Sequence, residues 1–375
     1  MYKALKRLKN NHYNHNDFEI KDGVLIKYKG SEKNVMIPKC VTSIGEYAFF
    51  DCSRLTSIVI PNSVTSIGRD AFSRCTGLTS ITIPDSVTII AFSAFYRCDK
   101  LQDIYITDIA AWCNIAGLDN LMGYDSSNKN LYINNELATS VTIPDGVTAI
   151  PSGAFYGCSS LTSVTIGNGV TSIGDHAFAG CNTLMNIKIP DSVTNIGKFA
   201  FADCSELTSI RIPDSVTNLG IHAFDDCIKL EIATISNNVT ELWGVFCGCG
   251  KLMNVTIPDS VTDIGSSAFK GCKSLTDITL PNNVKSIGNS AFCGCISLTN
   301  IAIPNSVTSI CSYAFMSCRK LTSITIPYNV TSIEQGTFND CDSLRSIIIQ
   351  NSATSFDDYA FLGCHNLTIY CKEDM

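Results

Sequence analysis

The sequence predicts a repeat solenoid, a β-rich α/β fold in which short units stack along one axis, and three observations support this prediction. The motif Phe-x-x-Cys recurs thirteen times at a nearly constant period, alternating apolar and polar residues precede each copy, and most of these runs end at a proline. A unit of about 23 residues is too small to bury its own apolar face, so it must stack on its neighbours. The repeat, rather than the total length of 375 residues, therefore sets the domain organisation.

Each unit contains a predicted strand with the pattern L-x-x-I-x-I. In the copy at Leu78, strict alternation places Ile81 and Ile83 in the core and the polar residues between and before them on the outer face. Ten of the eleven prolines directly follow the last inward residue of such a strand, as Pro84 does. Proline ends the strand because it has no N–H for the ladder. Equivalent strands one period apart should pair in a parallel sheet.

A second aliphatic pair, such as Val64 and Ile67, leads into a tight corner that is usually glycine, as at Gly68. Pro151 occupies the same place in another unit, and proline cannot adopt a positive φ. The sequence therefore indicates that the corner needs glycine for lack of room rather than for a left-handed backbone.

An Ala-Phe pair follows the corner, and we expect its phenylalanines to stack as a spine along the axis. Successive phenylalanines are 23 residues apart except for Phe95 and Phe155, which are 60 apart, and Phe224 and Phe246, which are 22 apart. The cysteines should form a ladder at the strand spacing of roughly 4.8 Å, as buried thiols or, alternatively, as disulfides. The thirteen copies are Phe49/Cys52, Phe72/Cys75, Phe95/Cys98, Phe155/Cys158, Phe178/Cys181, Phe201/Cys204, Phe224/Cys227, Phe246/Cys249, Phe269/Cys272, Phe292/Cys295, Phe315/Cys318, Phe338/Cys341 and Phe361/Cys364.

The full pattern, L-x-x-I-x-I-P-x-S-V-x-x-I-G-x-x-A-F-x-x-C, resembles the BspA-like class of bacterial leucine-rich repeats over roughly Val35–Tyr370. The resemblance implies a right-handed, curved leucine-rich-repeat solenoid with a parallel concave β-sheet. It also implies a surface or secreted protein that adheres to host extracellular proteins or to other cells.

The predicted organisation has six parts. The leader carries four basic residues and lacks the apolar core of a secretory signal, so we expect a mobile tail, with a basic docking arm as the alternative. The segment "FEIKDGVLIKYKG" resembles the hairpin that opens such arrays, with Asp22 and Gly23 in a type I′ turn. In chain order the parts are a basic leader (1–17), a capping hairpin (18–34), repeats (35–106), an insertion (107–139), repeats (140–366) and a half-repeat with a tail (367–375).

Two segments depart from the repeat. The insertion contains "TDIAAWCNIAGL", which predicts a helix, and "NLYINNELA", which predicts a hairpin around Asn134 and Asn135. A similar Ala-Ala-Trp-Cys insertion recurs in the family that the chain resembles, so we expect this segment to cover strand edges, with a binding module as the alternative. The other departure, "VTELWGVF", is one residue short and places Trp243 in a locally bent turn.

Few predicted surface residues are of the kind that anchors a partner. The outer face of the sheet is mostly small and polar, but it includes Tyr105, Lys188 and Arg211, and the two departures add Trp112 and Trp243. Aromatic and long cationic side chains are enriched at binding hot spots, so these five are the candidate ligand-binding residues. The alternatives are solvated charges at Lys188 and Arg211 and a Trp243 wedged into the gap that the missing residue leaves.

Composition and motifs exclude several classes of function. The formal charge of −7 and the pI near 5.2 argue against a nucleic-acid or anionic-membrane surface, and no stretch predicts membrane insertion. No Walker loop, dinucleotide-binding fingerprint, nucleophile elbow or H-E-x-x-H motif occurs, so the sequence predicts neither an enzyme nor a cofactor.

The sequence also predicts no metal site. His176 and His222 occupy equivalent positions two repeats apart, roughly 10 Å by the strand spacing, and so cannot share one ion. Cys247-x-Cys249 and Cys293-x-Cys295 each lack a second pair at the spacing of a zinc site.

These observations favour a non-enzymatic recognition scaffold, expected to be a monomer, that binds a protein or glycoprotein through the concave sheet or the insertion. The alternative is a structural or self-associating spacer rod without a specific ligand. A third possibility is binding to a regular surface such as ice or a polysaccharide, because the outer Ser and Thr residues recur at a fixed spacing.

Overall fold

The chain folds as a solenoid of short parallel strands with little helix, which confirms the predicted β-rich solenoid. The computed structural model describes residues 15–123, 128–350 and 355–371. Among these residues no helix is long and apolar enough to cross a membrane. Outside them lie the basic residues of the predicted leader, namely Lys3, Lys6, Arg7 and Lys9.

The chain forms two compact units. Unit 1 comprises Met1–Val170 and His176–Cys181, and unit 2 comprises Thr171–Asp175 and Asn182–Met375. Each unit carries two kinds of parallel strand. The long strands, of three or four residues, lie in the L-x-x-I-x-I run, and the short strands, of two residues, precede the corner.

Unit 1 opens with a 3₁₀ turn (His15–Asp17) and an antiparallel hairpin of β1 (Phe18–Lys21) and β2 (Val24–Tyr28). Asp22 and Gly23 join the two strands with φ of 49° and 78°, and a type I′ turn requires positive φ at both positions. The long strands that follow are β3 (Asn34–Met36), β5 (Ser57–Val59), β7 (Ser80–Thr82), β9 (Asp103–Ile106), β10 (Asn130–Ile133), β12 (Ser140–Ile143) and β14 (Ser163–Ile166). The short strands are β4 (Ser43–Ile44), β6 (Ser66–Ile67), β8 (Ile89–Ile90) and β13 (Ala149–Ile150).

Unit 2 repeats the same arrangement. Its short strands are β15 (Ser172–Ile173), β17 (Asn195–Ile196), β19 (Asn218–Leu219), β21 (Glu241–Leu242), β23 (Asp263–Ile264), β25 (Ser286–Ile287), β27 (Ser309–Ile310), β29 (Ser332–Ile333) and β31 (Ser355–Phe356). Its long strands are β16 (Asn186–Lys188), β18 (Ser209–Arg211), β20 (Ile232–Thr234), β22 (Asn254–Thr256), β24 (Asp277–Thr279), β26 (Asn300–Ala302), β28 (Ser323–Ile326), β30 (Ser346–Ile349) and β32 (Thr368–Cys371).

The alternation in the long strands sets which side chains enter the core. Ile81 and Ile83 are buried, whereas the side chains of Ser80 and Thr82 are half-buried on the outer face, as predicted. The strand ends before Pro84, whose carbonyl oxygen accepts a hydrogen bond from Val87 N–H at 3.1 Å and so closes the turn. The register between neighbours is regular, so identical positions lie opposite one another in β5 and β7.

The corner glycines are required by space, as the sequence indicates. A Cβ on Gly68 would lie 2.8 Å from the carbonyl carbon of Gly45 and 2.9 Å from Glu46 N, both backbone atoms of the preceding repeat. The left-handed backbone lies two residues further on, where Asp70 has a φ of 51°. Its N–H donates to Phe92 O in the next repeat at 3.2 Å, which places the strained residue in a backbone ladder between repeats.

The phenylalanines form the predicted spine within each unit. Phe49 stacks on Phe72 in unit 1 with ring centroids 4.9 Å apart. In unit 2 the short repeat widens the separation only slightly, to 5.9 Å between Phe224 and Phe246. The chain is one residue shorter at the corner, and Gly244 adopts the left-handed backbone there with a φ of 60°.

The insertion adds two short helices, α1 (Ile109–Cys113) and α2 (Asp119–Met122), and a hairpin of β10 with β11 (Glu136–Leu137). Asp108 caps α1 by accepting a hydrogen bond from Ala111 N–H at 2.7 Å. Between the helices, Ala116 extends the short-strand sheet, because its N–H donates to Thr88 O and its carbonyl accepts from Ile90 N–H, both at 2.9 Å. The insertion therefore covers the edge of β8, as the sequence predicts.

Candidate functional site

The outer face of one sheet in unit 1 carries a row of mostly apolar side chains. The sheet has the order β11-β10-β9-β7-β5-β3, and it joins the repeats to the hairpin of the insertion. Its central outward positions are in register across all six strands. We call this row the tyrosine lane, and its members are Met36, Val59, Thr82, Tyr105, Tyr132 and Leu137.

Two tyrosines form the centre of the lane. The parallel register of β9 and β10 places Tyr105 opposite Tyr132, and their rings stack with centroids 4.5 Å apart and an interplanar angle of 14°. Two residues earlier on the same strands, Asn130 Nδ2 donates to Asp103 Oδ1 at 2.8 Å and ties the strands together beside the rings. The pair is therefore a fixed aromatic platform rather than two independent side chains.

The tyrosine hydroxyls stay protonated at neutral pH. Burial, and then the carboxylate of Asp103, raise the pKa of Tyr105 above its ordinary value of 10.0, and the same causes raise the pKa of Tyr132. On the other side of the tyrosines, Thr107 directly follows β9. Its Oγ1 donates to the exposed carboxylate of Asp85, which lies just after β7, at 2.7 Å. The lane thus combines apolar rings and neutral hydroxyls with an acidic group on each of its two sides, Asp103 at the start of β9 and Asp85 after the end of β7.

Tyr132 is the residue of this site that the sequence analysis did not select. It lies 27 residues after Tyr105, outside the 23-residue period, and so it does not align with the repeats. The signal was nevertheless present, because "DIYI" in β9 and "NLYI" in β10 share the same alternation with tyrosine at the same position.

The structure places the predicted cationic residues in the other unit. Lys188 and Arg211 are exposed at the ends of β16 and β18 in unit 2. Arg211 Nη1 lies 3.3 Å from Asp191 Oδ1, and both side chains are largely exposed, so this ion pair is of the kind that contributes little to stability. Lys188 and Arg211 thus belong to unit 2, and Tyr105 belongs to unit 1.

Trp243 is 41% exposed in unit 2. Its Nε1–H donates to Glu241 Oε2 at 2.7 Å, and its ring covers Gly265, where an added Cβ would lie 2.7 Å from a ring carbon. It borders a groove of about 370 Å³ along the short strands, whose lining includes Lys198 and Asp175. Trp243 remains a candidate contact residue, held in place by Glu241 and by packing over Gly265.

Trp112 is not a surface residue, which corrects the prediction that it contacts a ligand. The side chain is 1% exposed, and its Nε1–H donates to Ala154 O at 3.0 Å. Burial of the ring in α1 anchors the insertion to the repeat that follows it. Its polar atom is already satisfied within the chain, so the residue acts in packing.

Comparisons with known proteins agree with this architecture. The model of the family described as BspA type leucine rich repeat region matches residues 20–113, 126–244 and 243–368, in six copies. No curated protein matches the chain.

Solved structures of bacterial leucine-rich repeat proteins are also similar. One from Bacteroides ovatus is 30% identical with a TM-score of 0.65, over 95% of this chain and 90% of that chain. A leucine rich cell surface protein from Faecalibacterium prausnitzii is 25% identical with a TM-score of 0.43, over 91% and 93% of the two chains. A leucine-rich repeat protein from Eubacterium ventriosum is 20% identical with a TM-score of 0.47, over 78% and 88%.

Proposed function

This chain belongs to the BspA-type leucine-rich repeat family, and from that premise we propose that it is an adhesion-type scaffold that binds an extracellular protein or glycoprotein through the tyrosine lane. Repeats of this family support a protein-binding or recognition scaffold, and such scaffolds are typically not enzymes. The adhesive role, the kind of partner and the binding surface are what we propose here for this chain.

The stacked pair of Tyr105 and Tyr132 carries the proposal. Tyrosine offers a large, rigid and amphipathic contact surface at low cost in conformational entropy, and it is enriched at binding hot spots. The stack restricts both rings before a partner arrives, so binding loses less side-chain freedom. Because the two residues come from a repeat strand and from the insertion, the site needs both parts of unit 1.

The dimensions of the lane suit a protein partner. Its six strands span about 24 Å at the usual spacing of neighbouring strands. This length is comparable to the edge, about 28 Å, of a square patch of about 800 Å², the area that each partner contributes to a standard interface. Its apolar centre is bordered by polar and acidic groups, as in protein interfaces with an apolar core and a polar rim. Asp103 and Asp85 favour a partner that presents basic or hydroxyl groups around an apolar or sugar surface.

The test is direct binding of the purified chain to a panel of extracellular matrix glycoproteins and to a glycan array. We expect the double variant Tyr105→Ala and Tyr132→Ala to lose at least 2 kcal/mol of binding free energy, a roughly thirtyfold loss of affinity. Tyr105→Phe keeps the ring that stacks on Tyr132 and should therefore bind nearly normally. The matched control is Tyr328→Ala in unit 2, which removes a tyrosine that is 59% exposed.

Three results would contradict the proposal. One is an equal loss of binding in the Tyr328→Ala control, which would place the contact elsewhere. Another is capture of none of the panel, combined with a mass that rises with concentration in analytical ultracentrifugation, which would favour the self-associating spacer. The third is binding that is lost on Lys188→Ala and Arg211→Ala but not in the tyrosine variant, which would move the site to unit 2.

A further inference from the structure

A separate cluster of metal-ligating side chains lies in unit 2. His222, Asp225 and Cys247 each direct one possible ligand atom, a ring nitrogen, a carboxylate oxygen and a thiol sulfur, into the same space, and these atoms all lie within 4.8 Å of one another. All three side chains are half-buried. The cluster shares no residue with the tyrosine lane.

Neighbouring repeats build the cluster. Asp225 directly follows Phe224 of the spine and Cys247 directly follows Phe246, so the two residues occupy the same position in adjacent repeats. Backbone hydrogen bonds hold the positions, because Asp225 N–H donates to His222 O at 3.1 Å and Asp226 N–H donates to Cys247 O at 2.8 Å.

The imidazole ring of His222 is held on both sides. One face stacks on Phe199, with ring centroids 5.0 Å apart and an interplanar angle of 3°. The next repeat presents Gly244, and a Cβ there would come within 2.5 Å of His222 Cε1 and 2.6 Å of Nδ1. The absence of a side chain at Gly244 therefore leaves the space that the ring occupies.

Two polar atoms of the cluster lack hydrogen bonds. His222 Nδ1 and Asp225 Oδ1 are buried, and neither has a hydrogen-bond partner among the described residues. Nδ1 lies 3.0 Å from Asp225 Oδ2, close enough for an ion pair but without the geometry of a hydrogen bond. Buried polar atoms without partners are uncommon in folded proteins, and a bound ion is one explanation for them.

We propose that His222, Asp225 and Cys247 bind one Zn²⁺ ion through nitrogen, oxygen and sulfur, and leave the fourth coordination position open to water or a ligand. Zinc is a borderline ion that accepts this mixed donor set, whereas Ca²⁺ and Mg²⁺ prefer oxygen alone. In a tetrahedral zinc site the ligand atoms lie about 3.3–3.6 Å apart, since Zn–N and Zn–O bonds are about 2.1 Å and Zn–S bonds about 2.3 Å. Because the three atoms lie within 4.8 Å of one another, the side chains need to close by about 1.5 Å at most.

Binding displaces one proton. Without the ion, burial and the neighbouring carboxylate of Asp225 raise the pKa of Cys247 to about 12. Zinc binds the thiolate, so the Zn–S bond forms as the S–H bond breaks and the proton leaves to solvent. The ion's two positive charges then balance the thiolate and the carboxylate. The remaining charged groups nearby are Asp203, Asp226 and the exposed Lys270.

The test is titration of the reduced protein with Co²⁺, whose thiolate complexes absorb in the near ultraviolet, followed by displacement with Zn²⁺. The two exposed cysteines, Cys40 and Cys371, are first replaced by serine so that they do not bind the probe. We expect one Co²⁺ per chain and its displacement by one Zn²⁺. Cys247→Ser should abolish the thiolate band.

Conservative changes of the other two ligands provide a second measurement. Asp225→Asn and His222→Gln should each weaken Zn²⁺ binding at least tenfold, which is the loss that even an outer-shell mutation produces. The matched control is Cys293→Ser, which removes a half-buried cysteine from the same position two repeats after Cys247 and should change nothing.

Circular dichroism confirms folding of each variant, and if Cys247→Ser fails to fold, Asp225→Asn and His222→Gln decide the question. Unchanged Zn²⁺ affinity in these variants, or a thiolate band that persists in folded Cys247→Ser, overturns the proposal. So does the absence of a thiolate band from the parent protein at millimolar Co²⁺.

Discussion

The thiol of Cys272 donates a hydrogen bond to the carbonyl oxygen of Phe246 in the preceding repeat at 3.2 Å. The phenylalanine of the same motif, Phe269, stacks on Phe246 as well. The motif Phe-x-x-Cys therefore acts between repeats, because its ring packs on the preceding ring and its thiol satisfies the preceding carbonyl. The same bond joins Cys75 to Phe49, Cys98 to Phe72, Cys181 to Phe155, Cys227 to Phe201, Cys249 to Phe224, Cys295 to Phe269, Cys318 to Phe292, Cys341 to Phe315 and Cys364 to Phe338.

Truncation of a spine residue should be strongly destabilising. Phe292 is fully buried, with ring centroids 5.4 Å from both Phe269 and Phe315. We expect Phe292→Ala to lower the free energy of unfolding by about 3–5 kcal/mol, because it leaves a cavity in the stack. Urea unfolding followed by circular dichroism measures the change. The control is Phe92→Ala, where the ring is 70% exposed and the change should stay within about 0.5 kcal/mol. Similar losses in the two variants would argue against a continuous spine.

The corner position should reject even one added methyl group. A Cβ at Gly68 would lie within 3.0 Å of three backbone atoms in the preceding repeat, so Gly68→Ala must displace backbone and should cost about 1–3 kcal/mol. Gly146→Ala is the matched control, since nothing lies within 4 Å of its added Cβ. That variant should be neutral or stabilising by up to about 1 kcal/mol, because it reduces the freedom of the unfolded chain. Thermal unfolding compares the two, and equal melting temperatures would refute the steric explanation.

Stability should fall as the pH becomes alkaline. Burial raises the pKa of Cys158 from its ordinary value of 9.0 to about 12, against a smaller opposing effect of Lys129. Between these values the unfolded chain has lost a proton that the folded chain retains, so stability is complete below pH 9 and declines as the pH rises towards 12. Each such thiol contributes at most about 1.4 kcal/mol per pH unit in that range.

The measurement for this prediction is the free energy of unfolding in urea at pH 8, 9 and 10. Cys158→Ala should lower stability at pH 8, because it removes buried volume, but should make the decline with pH shallower than in the wild type. Cys40→Ala removes an exposed thiol and should leave the slope unchanged. A slope that Cys158→Ala does not alter would show that other groups cause the alkaline loss.

Much of the repeat could be predicted from the sequence because its determinants are local. The inward direction of Ile81 follows from alternation, the end of the strand from Pro84, and the tight corner from Gly68, where Pro151 in the equivalent place of another repeat excluded a positive φ. Each of these features depends on residues within one period and on an identical neighbour. The left-handed position at residues such as Asp70 was not predicted, because residues from glycine to phenylalanine occupy it and no single residue type marks it.

The candidate sites were harder to predict because they join residues that are not equivalent in the repeat. Trp112 and Trp243 are equally conspicuous in the sequence, yet one is 1% exposed and the other 41%. The difference in exposure depends on which segments of the chain pack over each ring. Tyr105 was selected without Tyr132, because the insertion shifts the second tyrosine out of the 23-residue register.

The sequence by itself determined that this protein is a stack of repeats. Each short repeat encodes its own strand, corner, ring and thiol, and the same pattern recurs along the chain. Tertiary structure alone decided which side chains meet across repeats that differ. It paired Tyr105 with Tyr132, buried Trp112, and placed His222 beside Asp225 and Cys247. The physical reason is that these contacts depend on side-chain direction and on the local register at an insertion and a deletion, and no single repeat encodes either.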